Sequence, residues 1–158
     1  MVYLITGKIH SGKTTTMLSL YNQHHLGDGF VALKKMDKEK IVGFDCLHLS
    51  TQKIFPYAIH DYYYNNQFQT TTILGPYHFN EDTLLMIEKT FDELISLNIS
   101  PLYLDEVGQL ELNNQGNAKI LQKLIDHHCE LYLSIREEFI EKFVQKYHLN
   151  EYQIIASL

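Results

Sequence analysis

Gly7-Lys8-Ile9-His10-Ser11-Gly12-Lys13-Thr14 stands between an apolar run, Val2-Tyr3-Leu4-Ile5-Thr6, and a stretch of helical period from about Lys13 to His24. In that stretch Met17, Leu18, Leu20 and Tyr21 supply an inward stripe. A strand, a glycine-bounded loop of this spacing and a helix opening on Lys-Thr together make a cradle for phosphate. Glycine leaves no Cβ in the way of a close backbone approach, and the loop amides and helix N-terminus present positive partial charge. The lysine ammonium reaches β/γ oxygens and the threonine hydroxyl suits Mg²⁺. Gly7, Lys8, Ile9, His10, Ser11, Gly12, Lys13, Thr14 and Thr15 are therefore the expected phosphate contacts, with Lys13 acting on the reaction and Thr14 on the metal.

Outward from this loop, strand-length apolar runs alternate with helical stretches, the signature of βα units wound into a mainly parallel sheet flanked by helices. Gly27 and Gly29 are expected to end the first helix, and Phe30 to Lys35 reads as the second strand. Ile41 to Leu49 alternates like an exposed-edge hairpin strand, and the Tyr-, Thr- and Gln-rich region from Phe55 to Leu74 reads as short antiparallel strands or an ordered loop. A small antiparallel insertion near residues 40–75 is thus expected within one domain of residues 1–158. Asn80 to Leu97 is an amphipathic helix with Asn80 as N-cap, Glu81 and Asp82 in its first turn, and Leu84, Leu85, Ile87, Phe91, Leu94 and Ile95 on its buried face. The remaining expected elements are a strand at Leu102 to Leu104, a helix near Ala118 to His128, a strand at Leu131 to Ile135, a helix from about Glu137 to Tyr147 and a strand around Tyr152 to Ala156.

The strand Leu102-Tyr103-Leu104 delivers two adjacent carboxylates, Asp105 and Glu106. Ligands of doubly wound sheets bind at the carboxyl ends of the strands, so Asp105 is expected to hold Mg²⁺ through water and Glu106 to orient or deprotonate an attacking water. Arg136 follows the strand Leu131 to Ile135 at the same edge, where a guanidinium would offset charge on a transferring phosphoryl group. Its competing assignment is a surface pair with Glu137 or Asp126.

With 13 basic and 19 acidic residues the net charge is −6, which argues against a nucleic-acid-binding face. No uninterrupted apolar run is long enough to span a bilayer, and the start lacks a secretory pattern, so a cytoplasmic protein without membrane contact is expected. Cys46 and Cys129 read as small core hydrophobes. Adjacent histidines on a helix diverge, so His24-His25 and His127-His128 read as solvated helix ends rather than metal clamps. Tyr62-Tyr63-Tyr64 reads as an aromatic cross-strand cluster, not a base-stacking platform.

Ile5-Thr6-Gly7 through Thr15, Val42-Gly43-Phe44-Asp45, Gly75-Pro76-Tyr77 and Leu104-Asp105-Glu106-Val107-Gly108-Gln109-Leu110-Glu111-Leu112 resemble the THEP-type nucleoside triphosphatases, in order and over most of the chain. The Asp-Glu-Val-Gly-Gln-Leu-Glu-Leu run is the distinctive segment. The resemblance implies a P-loop NTPase core and slow, Mg²⁺-dependent hydrolysis of several nucleoside triphosphates, with Lys13 and Thr14 on phosphate and metal, Asp105 behind the metal and Glu106 as base. The P-loop filling Lys8-Ile9-His10-Ser11 and the Tyr-rich segment depart from the family pattern.

Two other functions fit the same core. A small-molecule or nucleotide kinase would share the cradle, although kinases that clamp two phosphate-bearing substrates use several arginines and this chain has one. A nucleotide-gated module would use hydrolysis to time the release of a protein partner, which the sequence does not identify. No Asn-Lys-x-Asp run for guanine recognition occurs.

Overall fold

The computed structural model describes residues 1–157. β1 (Val2–Gly7) runs into the glycine-bounded loop and α1 (Lys13–His24), followed by β2 (Asp28–Asp37), β3 (Lys40–His48) and β4 (Ile54–His60). A 3₁₀ turn at Asp61–Tyr63 leads to β5 (Thr71–Leu74), β6 (Tyr77–Asn80) and α2 (Glu81–Ser96). Then come β7 (Leu102–Val107), α3 (Gln109–Leu112), α4 (Ala118–Asp126), β8 (Leu131–Arg136), α5 (Ile140–Lys146) and β9 (Tyr152–Ala156).

The strands form one sheet in the order β5-β6-β4-β3-β2-β7-β8-β1-β9. From β2 to β9 every pairing is parallel, and from β2 outward through β3, β4, β6 and β5 every pairing is antiparallel. The expected antiparallel insertion is therefore a wing that continues the parallel sheet. Following strand directions across it, the carboxyl ends of β1, β2, β4, β5, β7 and β8 meet the amino ends of β3 and β6 along one edge.

Alternate residues of the parallel strands serve opposite faces, as the pleat requires. Leu4, Leu102, Leu104, Leu131 and Leu133 join Ile87 and Phe91 of α2, Ile120, Leu121 and Leu124 of α4 and Phe143 of α5 in one core. Ile5, Tyr103, Tyr132 and Val31 pack with Met17 of α1 in the other. Burying these two faces fixes the register, because a slip of one residue would exchange the two sets.

Several expectations need correction. β3 lies inside the sheet between β2 and β4, and the edges are β5 and β9. Its half-polar alternation reflects a wing that has one wet face. The first helix ends at His24 as expected, but its stop is His25 in the left-handed conformation (φ 52°) rather than Gly27 and Gly29, and Gly29 sits inside β2. Leu85 is 53% exposed because it shares the solvent face of α2 with Glu88 and Lys89. Asn80 caps α2 as expected, accepting from the Asp82 amide at 3.1 Å.

The helix expected from Glu137 to Tyr147 begins instead as a 3₁₀ turn, Glu137–Phe139, before α5. The helix expected to reach His128 ends at Asp126. His24 is not simply solvated, since its Nδ1 lies 2.6 Å from the Tyr103 hydroxyl. Cys46 is buried, whereas Cys129 is only half-buried. The tyrosine triplet is not cross-strand. Tyr62 and Tyr63 form the 3₁₀ turn, and Tyr64 stacks on His78 of β6 at 3.9 Å. Among the described residues, no helix is long and apolar enough to cross a membrane.

Candidate active site

The loop between β1 and α1 owes its shape to Gly12, whose φ of 86° opens the helix from a conformation that a side chain would resist. Thr16 closes the first turn by donating backbone and hydroxyl bonds to the Gly12 carbonyl. This geometry leaves the first amides of α1 facing the sheet edge. Lys13 is buried, and its ammonium donates to the Lys8 carbonyl at 2.9 Å, so the loop holds its own lysine. Burial lowers the Lys13 pKa, and Glu106 opposes that shift more than any other neighbour.

The carboxyl end of β7 departs from a regular strand. A pleated strand would send Asp105 and Glu106 to opposite faces. Instead the register with β8 shifts between Leu104 and Val107, placing one extra residue opposite Ser134, and Glu106 adopts φ 58°. Such a conformation costs a non-glycine residue about 1–3 kcal/mol and persists only where its surroundings fix it. Here the Glu106 amide donates to Ser134 Oγ at 2.8 Å and to Asp105 Oδ1 at 3.0 Å.

Asp105 is 4% exposed and accepts from four donors. Thr14 Oγ1 donates to Oδ2 at 2.6 Å and the Ala32 amide donates to the same oxygen at 3.0 Å, while Ser134 Oγ and the Glu106 amide donate to Oδ1. P-loop, β2, β7 and β8 are thus tied through one carboxylate. Because the Thr14 hydroxyl donates its only proton to Asp105, its lone pairs remain free for a cation.

Glu106 opens into the cleft. Its carboxyl is pushed above the usual carboxylate range, chiefly by desolvation and then by Asp105, with Lys13, Arg136 and Lys34 pulling the other way. Arg136 stands opposite Gly7 in the β1–β8 register. Its side chain is 40% exposed, and its acidic partner is Glu138 at 3.7 Å, rather than Glu137 or Asp126.

The cleft has a volume of about 570 Å³ and takes in Ile9 to Thr15, Glu106 and Arg136 together with the wing. Of the expected loop contacts, Ile9, His10, Ser11, Gly12, Lys13, Thr14 and Thr15 line it, while Gly7 and Lys8 lie behind. Lys8 turns its side chain to solvent, and a side chain at Gly7 would strike Ser11 and Ser157. His10 is exposed, takes φ 60° and meets Lys34 Nζ through Nδ1. Desolvation lowers its pKa, and Lys34 lowers it further.

Lys34, Ser134 and Glu111 were not singled out from sequence. Lys34 and Ser134 each stand one residue before the end of a strand expected from sequence, Phe30 to Lys35 and Leu131 to Ile135, so the edge rule applied to every expected strand would have found both, although β2 and β8 run on to Asp37 and Arg136. Glu111 is 2% exposed, accepts from the Gly108 and Asn117 amides at 2.9 Å each, and has its pKa raised by burial to about 7. Among the described residues, no group of three or more His, Cys, Asp or Glu gathers to hold a metal.

A sheet of this order, with the loop ahead of α1 and a carboxylate at the end of β7, defines the P-loop nucleoside triphosphatases as the class. The chain belongs to the NTPase family, whose model matches residues 2–156, and it is an NTP-hydrolysing enzyme. It is 25% identical to the nucleoside-triphosphatase THEP1 of Thermotoga maritima over 167 residues, covering 96% of this chain and 87% of that protein. In fold it is similar to a human cancer-related nucleoside triphosphatase solved in solution, with a TM-score of 0.66 at 15% identity over 98% of this chain and 87% of the other.

Proposed function

We propose that the chain hydrolyses nucleoside triphosphates, ATP and GTP among them, to diphosphate and phosphate with Mg²⁺. The observation that carries this reading is the Thr14–Asp105 hydrogen bond of 2.6 Å, which joins the phosphate loop to the strand end bearing Glu106. The donor set fits Mg²⁺. Oxygen ligands suit it, and it takes one or two protein groups beside phosphate and water rather than a dedicated cage. Thr14 would hold the ion directly and Asp105 through water, and the bound ion would supply positive charge to the β- and γ-oxygens.

Lys13 exchanges the Lys8 carbonyl for phosphate oxygens and offsets their charge in both ground and transition states. Glu106 takes a proton from water as the water oxygen bonds to the γ-phosphorus. The bond from that phosphorus to the bridging oxygen breaks with its electron pair left on the diphosphate. The raised Glu106 pKa makes it a better proton acceptor than an ordinary carboxylate. Arg136 stabilises charge on the γ-phosphoryl group.

The test is phosphate release by the purified protein from ATP, GTP, CTP and UTP, each with and without Mg²⁺. Steady release from several triphosphates that stops when the metal is chelated is the expected result. Tight binding without turnover would instead favour a nucleotide-gated module.

A further inference from the structure

The cleft is larger than a phosphate site with its water requires. Beyond Glu106 it continues over the wing, where Ile41, Phe44, Leu74, Tyr77 and Phe79 form its wall. Tyr77 and Phe79 alternate on β6 and so share a face. Phe44 packs against Tyr77 and Tyr57 against Phe79, both at ring separations of 5.5 Å. Tyr77 lies within the electrostatic reach of both Arg136 and Glu106, so the aromatic wall approaches the reacting end of the cleft.

The position of this extension decides what it could take. A triphosphate on the P-loop directs its γ-phosphate toward Asp105 at the end of β7, and the wing begins one strand beyond that, after β2. Its occupant therefore approaches the γ-phosphorus from the side opposite the nucleoside. Lys13, Lys34 and Arg136, the lysine and arginine residues lining the cleft, lie at the phosphate end, while the wing wall carries none. A second phosphate-bearing substrate would lack a clamp there. A flat neutral ring finds aromatic surface instead.

We propose that the wing extension binds a neutral, hydroxyl-bearing aromatic or heterocyclic molecule, which takes the γ-phosphoryl group in place of water. This rests on the triphosphate reading above and extends it from hydrolysis to alcohol phosphorylation. The acceptor O–H proton passes to the Glu106 carboxylate as the acceptor oxygen bonds to the γ-phosphorus. The bond to the bridging oxygen breaks, its electron pair stays on the diphosphate, and Glu106 then returns the proton to solvent. A single arginine argues against a phosphorylated acceptor, and a neutral acceptor needs no further cation.

The experiment supplies γ-labelled ATP and Mg²⁺ with adenosine, uridine or benzyl alcohol, and separates labelled phosphate from labelled phosphomonoester. At least one probe should receive label. Phe44→Ala and Leu74→Asp, one inside the wall and one at its rim, should each raise the KM for that probe by about tenfold or more, with acceptor-free phosphate release within about twofold of wild type. Label found only in phosphate with every probe overturns the proposal. Competition between benzyl alcohol and ATP for binding that Phe44→Ala relieves also overturns it, assigning the wing to the nucleobase. Absence of both phosphate release and ATP binding would instead defeat the parent reading.

Discussion

Glu106 combines a left-handed backbone, a bulge and a raised pKa in one residue, and its carboxyl lines the cleft while that of its neighbour Asp105 stays buried. Glu106→Gln keeps the backbone and the size of the side chain but cannot accept a proton. It should bind nucleotide like wild type and turn over on the order of a hundredfold more slowly. Single-turnover phosphate release checks this, and an unchanged rate would move the base elsewhere. With the carboxyl pKa raised, the acidic limb of the wild-type rate profile should lie above the ordinary carboxylate range, activity rising as Glu106 loses its proton. Arg136→Ala should cut turnover by about tenfold or more at unchanged melting temperature. The Glu138 contact it loses is a half-exposed pair of little energetic weight, so a rate within about twofold of wild type would leave Arg136 with that surface role alone.

The segment from β7 through α3 to α4 holds Glu106 from behind, and Glu111 is its pin, bonded to the amides of Gly108 and Asn117. Gly116 takes φ 60° beside it, and an added Cβ would strike the Glu111 carboxylate. Gly116→Ala should therefore cost about 1–3 kcal/mol in urea unfolding. Glu111 also sets a pH dependence. Its folded pKa of about 7 lies above the unfolded value of 4.5, so the folded state binds the extra proton between them. Its contribution is full below the unfolded pKa and is lost as pH rises through the folded one, a fall of about 3 kcal/mol. Glu111→Gln should remove that fall, and parallel stability curves for the two proteins across this range would refute the buried titration.

At this scale the sequence was readable where period and punctuation agreed. β9 and α1 match their expected bounds, and β1 differs from its expected bounds only by Gly7. α3 was missed because four residues give no period. β3 looked like an edge strand because alternation reports one wet face and says nothing of how many partners a strand has. Asp105 and Glu106 were visible as a pair, but the bulge that unites them depends on Ser134, 29 residues from Asp105, and no local pattern carries that contact.

Over the whole molecule, one sheet edge gathers the phosphate loop, the β7 carboxylates, Lys34, Arg136 and the aromatic wing. The parallel half was legible as βα alternation, and the wing's direction followed only from its antiparallel pairing with β2. On the function proposed above, triphosphate binds at this edge through Lys13 and is hydrolysed there. The most direct measurement is a paired one on wild type and Lys13→Ala, affinity for a fluorescent triphosphate analogue alongside phosphate release, with circular dichroism to show that both are folded. Folded Lys13→Ala should lose about tenfold or more in affinity and most of its turnover. A folded Lys13→Ala protein that binds and hydrolyses triphosphate like wild type would contradict the proposed function.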